Sequence, residues 1–395
     1  MSDDAYAGRR ERARDRLAAI DADGLVCFPS RNLQYLTGFH EEPGERHFLF
    51  VLPASAGVNG GESGSDDEVG SDDEVGSDDA SDPATLLVPE LYGEQVRNGT
   101  DIDDVRTWAD GDDPREAARE VLADHHLRSG RLLVADTMWA RFTQDLRAVA
   151  PDATWGLASE ALADLRVRKD DAELAALRAA GAAADATVSD LRALGSEAIG
   201  MTERELADWI ADRLATHGGE GVSFETIVGV GENGAKPHHT ASDRDIRAGD
   251  PVVLDFGTRV DGYPSDQTRT LVFDGEPPAE YEAVHAVVRE AQAAAVEAVE
   301  PGVTAAAVDR AARDVIEAAG YGDAFVHRTG HGVGLEVHEE PYVVAGNDRE
   351  LEPGMVFSIE PGVYLDGRFG CRIEDLVVVT EEGHERLNAT DHGWR

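Results

Sequence analysis

The chain has 395 residues, enough for two sizeable hydrophobic cores. No apolar run reaches the roughly 18 residues of a membrane span, and the charged start MSDDAYAGRRERARDRL offers no apolar signal segment. A formal net charge of -43 argues against partnership with nucleic acid, which needs basic patches.

From Gly24 the chain reads as mixed α and β. GLVCF, HFLFVL, ATLLVP and RLLVAD are strand-like apolar runs. DPREAAREVLADHHL and RFTQDLRAVAP carry helical patterns. Between the second and third strands lies GSDDEVGSDDEVGSDD, starting at Gly64, an imperfect six-residue repeat. Polar and acidic residues surround it, so 58–83 is predicted as an acidic, disordered insertion. It lacks the ligand spacing of a calcium loop. Acid is not confined to this insertion but runs along the whole chain, and lysine occurs only at Lys169 and Lys236. Self-repulsion of this size opposes compaction unless salt screens it, as it does at molar concentration, where the Debye length is about 3 Å. The composition therefore predicts a salt-rich cytoplasm, that of a halophilic archaeon. Two cysteines, Cys27 and Cys371, suggest neither a disulfide framework nor a thiolate metal site and fit a reducing cytosol.

Near residue 160 the texture changes, which divides the chain into domains at 1–160 and 161–395. DDAELAALRAAGAAADATVSDLRAL reads as a long helix. MTERELADWIADRLATHG reads as another, with Thr202 and Glu205 as a capping box and Gly218 at its stop. PAEYEAVHAVVREAQAAAVEAV and TAAAVDRAARDVIEAAG follow as two more.

The strands around these helices carry acids inside apolar or β-branched runs. Asp255 and Asp266 lie in VVLDFGTRVDGYPSDQTRT, His331 in RTGHGVGLEVHEEP, Glu360 in MVFSIEPG and Glu374 in CRIEDLVVV. An unpaired carboxylate in such a run is costly to bury, and divalent cations are the simplest way to offset that cost. Asp261-Gly262 is a strong hairpin signal. With a two-residue turn, residue 255 opposes residue 268, and Asp255 and Asp266 become diagonal neighbours on one face. Glu360 shares a strand face with Ser358, and Glu374 shares one with Arg372 and Leu376. Gly330, Gly332 and Gly334 around His331 permit close backbone approach and positive φ. Four carboxylates and one imidazole suit manganese, cobalt, iron or zinc. The surplus of carboxylates favours two ions, spaced about 3.5–4 Å apart as in two-metal hydrolases.

These segments resemble those of the creatinase/prolidase family of pita-bread metallopeptidases, strongly over about 160–395. The N-terminal SRNLQYLTGF is similar, more weakly, to a segment of the prolidase-like branch. The resemblance implies an α+β fold. A creatinase-like mixed α/β domain would precede a catalytic domain with a curved antiparallel sheet. It also implies that Asp255 binds one metal through both oxygens, that Asp266 and Glu374 bridge both, and that His331 and Glu360 complete the second site. Manganese or cobalt would come before zinc or iron. His238, the first histidine after the loop GVGENGAKP, would contact the leaving side of the substrate, with His239 as its neighbour. His338 would hydrogen-bond the scissile carbonyl oxygen, and Arg372 would anchor a carboxylate or orient Glu374.

The activity implied is hydrolysis of the Xaa-Pro bond of dipeptides or short peptides by water activated between two metals, with Glu360 accepting its proton. The complete ligand set argues against creatinase and against non-catalytic relatives. Xaa-Pro aminopeptidase on longer peptides, methionine aminopeptidase and a peptide-binding module are the alternatives. The resemblance further implies a homodimer, and the cysteine count and charge given above predict a cytoplasmic one.

Overall fold

A computed structural model describes residues 3–55 and 83–395. The acidic insertion predicted over 58–83 lies, apart from Pro83, outside the described residues. The chain divides into two compact units, Met1–Leu165 and Arg166–Arg395. Among the described residues no helix is long and apolar enough to cross a membrane.

The first unit is built on a six-stranded mixed sheet. Its strands, from edge to edge, are Asp104–Trp108, Thr85–Pro89, Leu49–Pro53, Gly24–Cys27, Ser129–Val134 and Asp152–Leu157. The four apolar runs of the sequence form the four central strands, whose residues are buried apart from Pro53 and the opening Ser129, Gly130 and Arg131. The two edge strands escape sequence reasoning because they are polar and largely half-exposed or exposed. Each pairs in parallel with its neighbour and needs no apolar face of its own. Both predicted helices form. Pro114–Asp124 starts with proline at its first position, behind Asp113, whose side chain accepts from the Arg115 amide. An unforeseen helix, Asp3–Ala19, buries Arg9 and Arg10 beside Ala13 and Leu17. Its polar sequence carries no apolar stripe to reveal it.

In the second unit every strand pairing is antiparallel. One sheet has three strands, Gln267–Leu271, Val252–Phe256 and Ile227–Val230. The helices Asp171–Leu194 and Glu203–Thr216 close over it with Val188, Leu191, Leu206 and Ile210, all fully buried. Both helices begin in full capping boxes, Asp170 with Glu173 and Thr202 with Glu205. Such caps satisfy amide donors that the first helical turn leaves free. A second sheet has five strands, in the order Glu339–Val343, Gly330–Gly332, Val356–Ile359, Asp375–Thr380 and Gly383–Arg386. Here Tyr281, Val284, Val288, Ala291 and Ala295 form one buried stripe of the helix Tyr281–Glu297. That spacing is the helical repeat of a core-facing surface. The α+β expectation holds, and the two sheets bring the candidate ligands to one place.

Candidate metal centre

The first two acids are fixed by a hairpin in the register that the turn predicts. Thr268 stands opposite Asp255, and after a break at Ser265 and Asp266 the pairing resumes in the same register, with Val260 opposite Tyr263. Asp261 and Gly262 turn the chain at φ 48 and 79, as a tight two-residue hairpin requires. His331 sits on the short strand Gly330–Gly332. A Cβ on Gly330 would meet the Ser358 carbonyl oxygen at 1.8 Å, and one on Gly332 the Glu340 carbonyl oxygen at 2.2 Å. Close backbone approach, and not positive φ, is therefore what these glycines provide. Glu360 follows the strand Val356–Ile359 and accepts from the Ser358 hydroxyl at 3.3 Å. Glu374 departs from the expected continuous strand. It lies in the step between Phe369–Arg372 and Asp375–Thr380, where the chain passes from one sheet to another. There its amide donates to the Thr268 carbonyl at 3.1 Å, and its carboxylate accepts from the Thr268 hydroxyl at 2.6 Å.

The five side chains converge. Ligand atoms of Asp266, His331 and Glu374 all lie within 4.8 Å of one another. His331 Nε2 is 3.6 Å from Asp266 Oδ2 and 3.4 Å from Glu360 Oε1. Asp255 Oδ2 accepts from Arg372 at 2.6 Å, while its buried Oδ1 has no hydrogen-bond partner among the described residues. Burial pushes the carboxyls of Asp266 and Glu374 well above the usual range, reinforced by repulsion from neighbouring carboxylates. Burial also raises Asp255, and it raises Glu360 to about 7. His331 is lowered to about 3 by burial and then by His338, so its ring is neutral. Its Nδ1 faces the Gly332 carbonyl at 3.2 Å. A carbonyl only accepts, so Nδ1 carries the proton and Nε2 directs a lone pair at the acids. Mutually repelling buried acids, an orphaned carboxylate oxygen and a neutral imidazole with its lone pair inward fit a divalent cation of the hard to borderline kind.

All five line one cavity of about 320 Å³, together with His238, His338 and Arg372. The His338 ring lies 4.1 Å from that of His331, centroid to centroid. Arg372 is buried, and each of its three guanidinium nitrogens donates a hydrogen bond. Besides Asp255 it donates to the Tyr364 hydroxyl at 2.9 Å and to the Thr268 hydroxyl at 3.0 Å. It thus orients Asp255 directly and touches Glu374 only through Thr268. His239 lines the same wall, with its ring bonded to Glu203 at 2.7 Å.

Several functional positions escape sequence reasoning. His327 Nδ1 faces the Arg328 carbonyl at 2.7 Å, so its Nε2 accepts from the Tyr364 hydroxyl at 2.8 Å. A directed chain therefore runs from Asp255 through Arg372 and Tyr364 to His327. Arg328 lines the cavity, its guanidinium 4.5 Å from the Tyr342 ring centroid, with no ion pair among the described residues. Glu339, next to His338, is gripped by Lys169 at 2.8 Å and Arg166 at 2.6 Å. The signal available for the first two was proximity: both precede His331 within one turn's length of chain. Nothing in the sequence pairs Lys169 with Glu339, 170 positions apart.

A model of metallopeptidase family M24 matches residues 175–381, and a model of the creatinase/prolidase N-terminal domain matches residues 9–65. The chain is 42% identical over 393 residues to the probable dipeptidase PepE of Mycobacterium tuberculosis, covering 98% of this chain and 96% of that one. It is 38% identical over 383 residues to the Xaa-Pro dipeptidase of Lactobacillus helveticus, with 94% of each covered. The crystal structure of a recombinant prolidase from Thermococcus sibiricus superposes with a TM-score of 0.87 at 35% identity, covering 99% of this chain and 98% of that one. These matches bear out the resemblance read from the ligand-bearing segments.

Proposed function

The chain belongs to metallopeptidase family M24, and from that premise we propose that it hydrolyses the Xaa-Pro bond of dipeptides. One observation carries the reading: three buried carboxylates, the half-buried Glu360 and a neutral imidazole meet at one wall of a cavity of about 320 Å³. That volume lies at the small end of small-ligand pockets. Asp255, Asp266, His331, Glu360 and Glu374 would hold two divalent cations, manganese or cobalt before zinc or iron. When bound, these supply Lewis acidity toward water and the scissile carbonyl.

The protein's own groups do the rest. Glu360, in the cavity wall 3.4 Å from His331 Nε2, would take the proton of the attacking water and hand it to the proline nitrogen. His338 donates to the carbonyl oxygen as negative charge develops there. His238 borders the leaving side. Arg372 keeps Asp255 in place. Arg328 supports a dipeptide over a longer chain, because its guanidinium, stacked on Tyr342 and without an ion pair among the described residues, lines the cavity where it can meet a free carboxylate. Phe224, Ile227 and Val337 give the pyrrolidine ring an apolar surface. Relatives named dipeptidase or Xaa-Pro dipeptidase extend over nearly the whole chain and favour this reading over methionine aminopeptidase or a binding module.

The same proposal puts the enzyme in a salt-rich cytoplasm, on the strength of its charge of -43, and makes it a homodimer, as the family resemblance implies. The test is hydrolysis of Ala-Pro in molar KCl with added manganese or cobalt against a chelated control. Turnover that chelation abolishes supports the proposal, and none with any metal in folded protein rejects it.

A further inference from the structure

Glu203 opens the helix Glu203–Thr216, and its side chain is fully enclosed. A carboxylate buried this way is costly unless donors surround it. Five do. Oε1 accepts from the Val230 amide at 2.8 Å and from Asn233 Nδ2 at 3.0 Å. Oε2 accepts from His239 Nε2 at 2.7 Å, from the Ser242 amide at 2.9 Å and from the Ser242 hydroxyl at 2.6 Å. Burial pushes this carboxyl up, but the Ser242, His239, Val230 and Asn233 bonds outweigh it and leave the group below its ordinary value.

The placement of these donors matters more than their number. Val230 and Asn233 stand where the glycine-rich loop begins, and His239 and Ser242 stand where it ends. One carboxylate therefore closes the loop on itself. The enclosed stretch contributes Pro237, His238, His239 and Thr240 to the wall of the catalytic cavity. Because the carboxylate only accepts, His239 Nε2 carries a proton, and Nδ1 is the ring nitrogen left without a protein partner among the described residues. None of these groups belongs to the metal cluster.

We infer that Glu203 is a positioning residue for substrate: it fixes the loop that carries His238 and sets the tautomer and orientation of the cavity-lining His239. The inference rests on the peptidase reading of the site. It predicts a binding defect, because the metal cluster and Glu360 are untouched by the change.

The experiment compares wild type with Glu203→Gln and His239→Ala, using Ala-Pro as substrate in molar KCl with manganese. Glu203→Gln is expected to raise KM by about tenfold, the size of a lost charge-assisted hydrogen bond, with kcat within about threefold and bound metal unchanged. His239→Ala removes one of the five ties and should raise KM by less; it carries the test if Glu203→Gln does not fold. Histidine ¹⁵N spectra of the chelated protein read the tautomer without any turnover. A protected Nε2–H signal should be present in wild type and absent from both variants. Unchanged KM in the variants of an active wild type, or no such signal in wild type, overturns the inference. If wild type turns over no peptide, the peptidase reading fails by itself, and loss of the signal in Glu203→Gln still supports the positioning role.

Discussion

Removing the metals leaves three strongly repelling acids, Asp266, Glu360 and Glu374, with Arg372 committed to Asp255. The metal-free protein must hold protons there. Glu360 has a carboxyl pushed from an ordinary 4.5 to about 7, a change worth on the order of 3 kcal/mol. Its folded value lies above its unfolded one. The corresponding stability is present in full below about pH 4.5 and is lost as pH rises through about 7. Asp266 and Glu374 act in the same direction. His331 is neutral with or without metal and adds no proton. Metal binding must therefore expel protons. At pH 6 a carboxyl of pKa about 7 is about nine-tenths protonated, so Glu360 alone should release close to one proton, and Asp266 and Glu374 should add to it. Calorimetric titration of the chelated protein with manganese at pH 6, in buffers of different ionisation enthalpy, counts them directly. Thermal unfolding gives a second reading, since the gap in Tm between loaded and metal-free protein should widen from pH 5.5 to 8. A binding enthalpy independent of buffer, or a Tm gap flat across that range, refutes the claim that these acids form a proton-bearing metal site.

Glu360→Gln should keep most metal binding while kcat falls by about 10²–10⁴-fold; near-normal rates remove Glu360 from its role as base. Truncating His338 to alanine should lower kcat by about 10²–10³-fold, the cost of one oxyanion donor, and a change confined to KM contradicts that assignment. Arg328→Met should raise KM for Ala-Pro by about tenfold or more and alter cleavage of Ala-Pro-Ala much less. Equal loss on both peptides indicates that the guanidinium does not read the free carboxylate.

Legibility in the sequence followed from how local each signal was. The Asp255–Asp266 geometry was readable because a two-residue turn propagates its register down both strands, and Thr268 does face Asp255. The helix beginning at Glu203 was readable from its capping box. Glu374 was placed on the wrong kind of element, since the break between two sheets at Ile373–Glu374 leaves no local mark in CRIEDLVVV. The roles of Glu203, Lys169 and Glu339 depend on partners 27 to 173 positions away. Periodicity and turn chemistry carry no information about such pairs. Arg372 shows the limit from the other side: its place in the site was anticipated, but its contact with Asp255 spans 117 positions and emerges only from the fold.

The most direct test of the central claim is the rate of hydrolysis of Gly-Pro, Ala-Pro and Met-Pro set against Ala-Pro-Ala and a proline-free Met peptide. The assay uses molar KCl with manganese, cobalt or zinc, and a chelated control. The metal-dependent dipeptidase account predicts that the three dipeptides are cleaved and that chelation abolishes cleavage. Cleavage of only the tripeptide or only the proline-free peptide, or rates untouched by chelation, contradicts it.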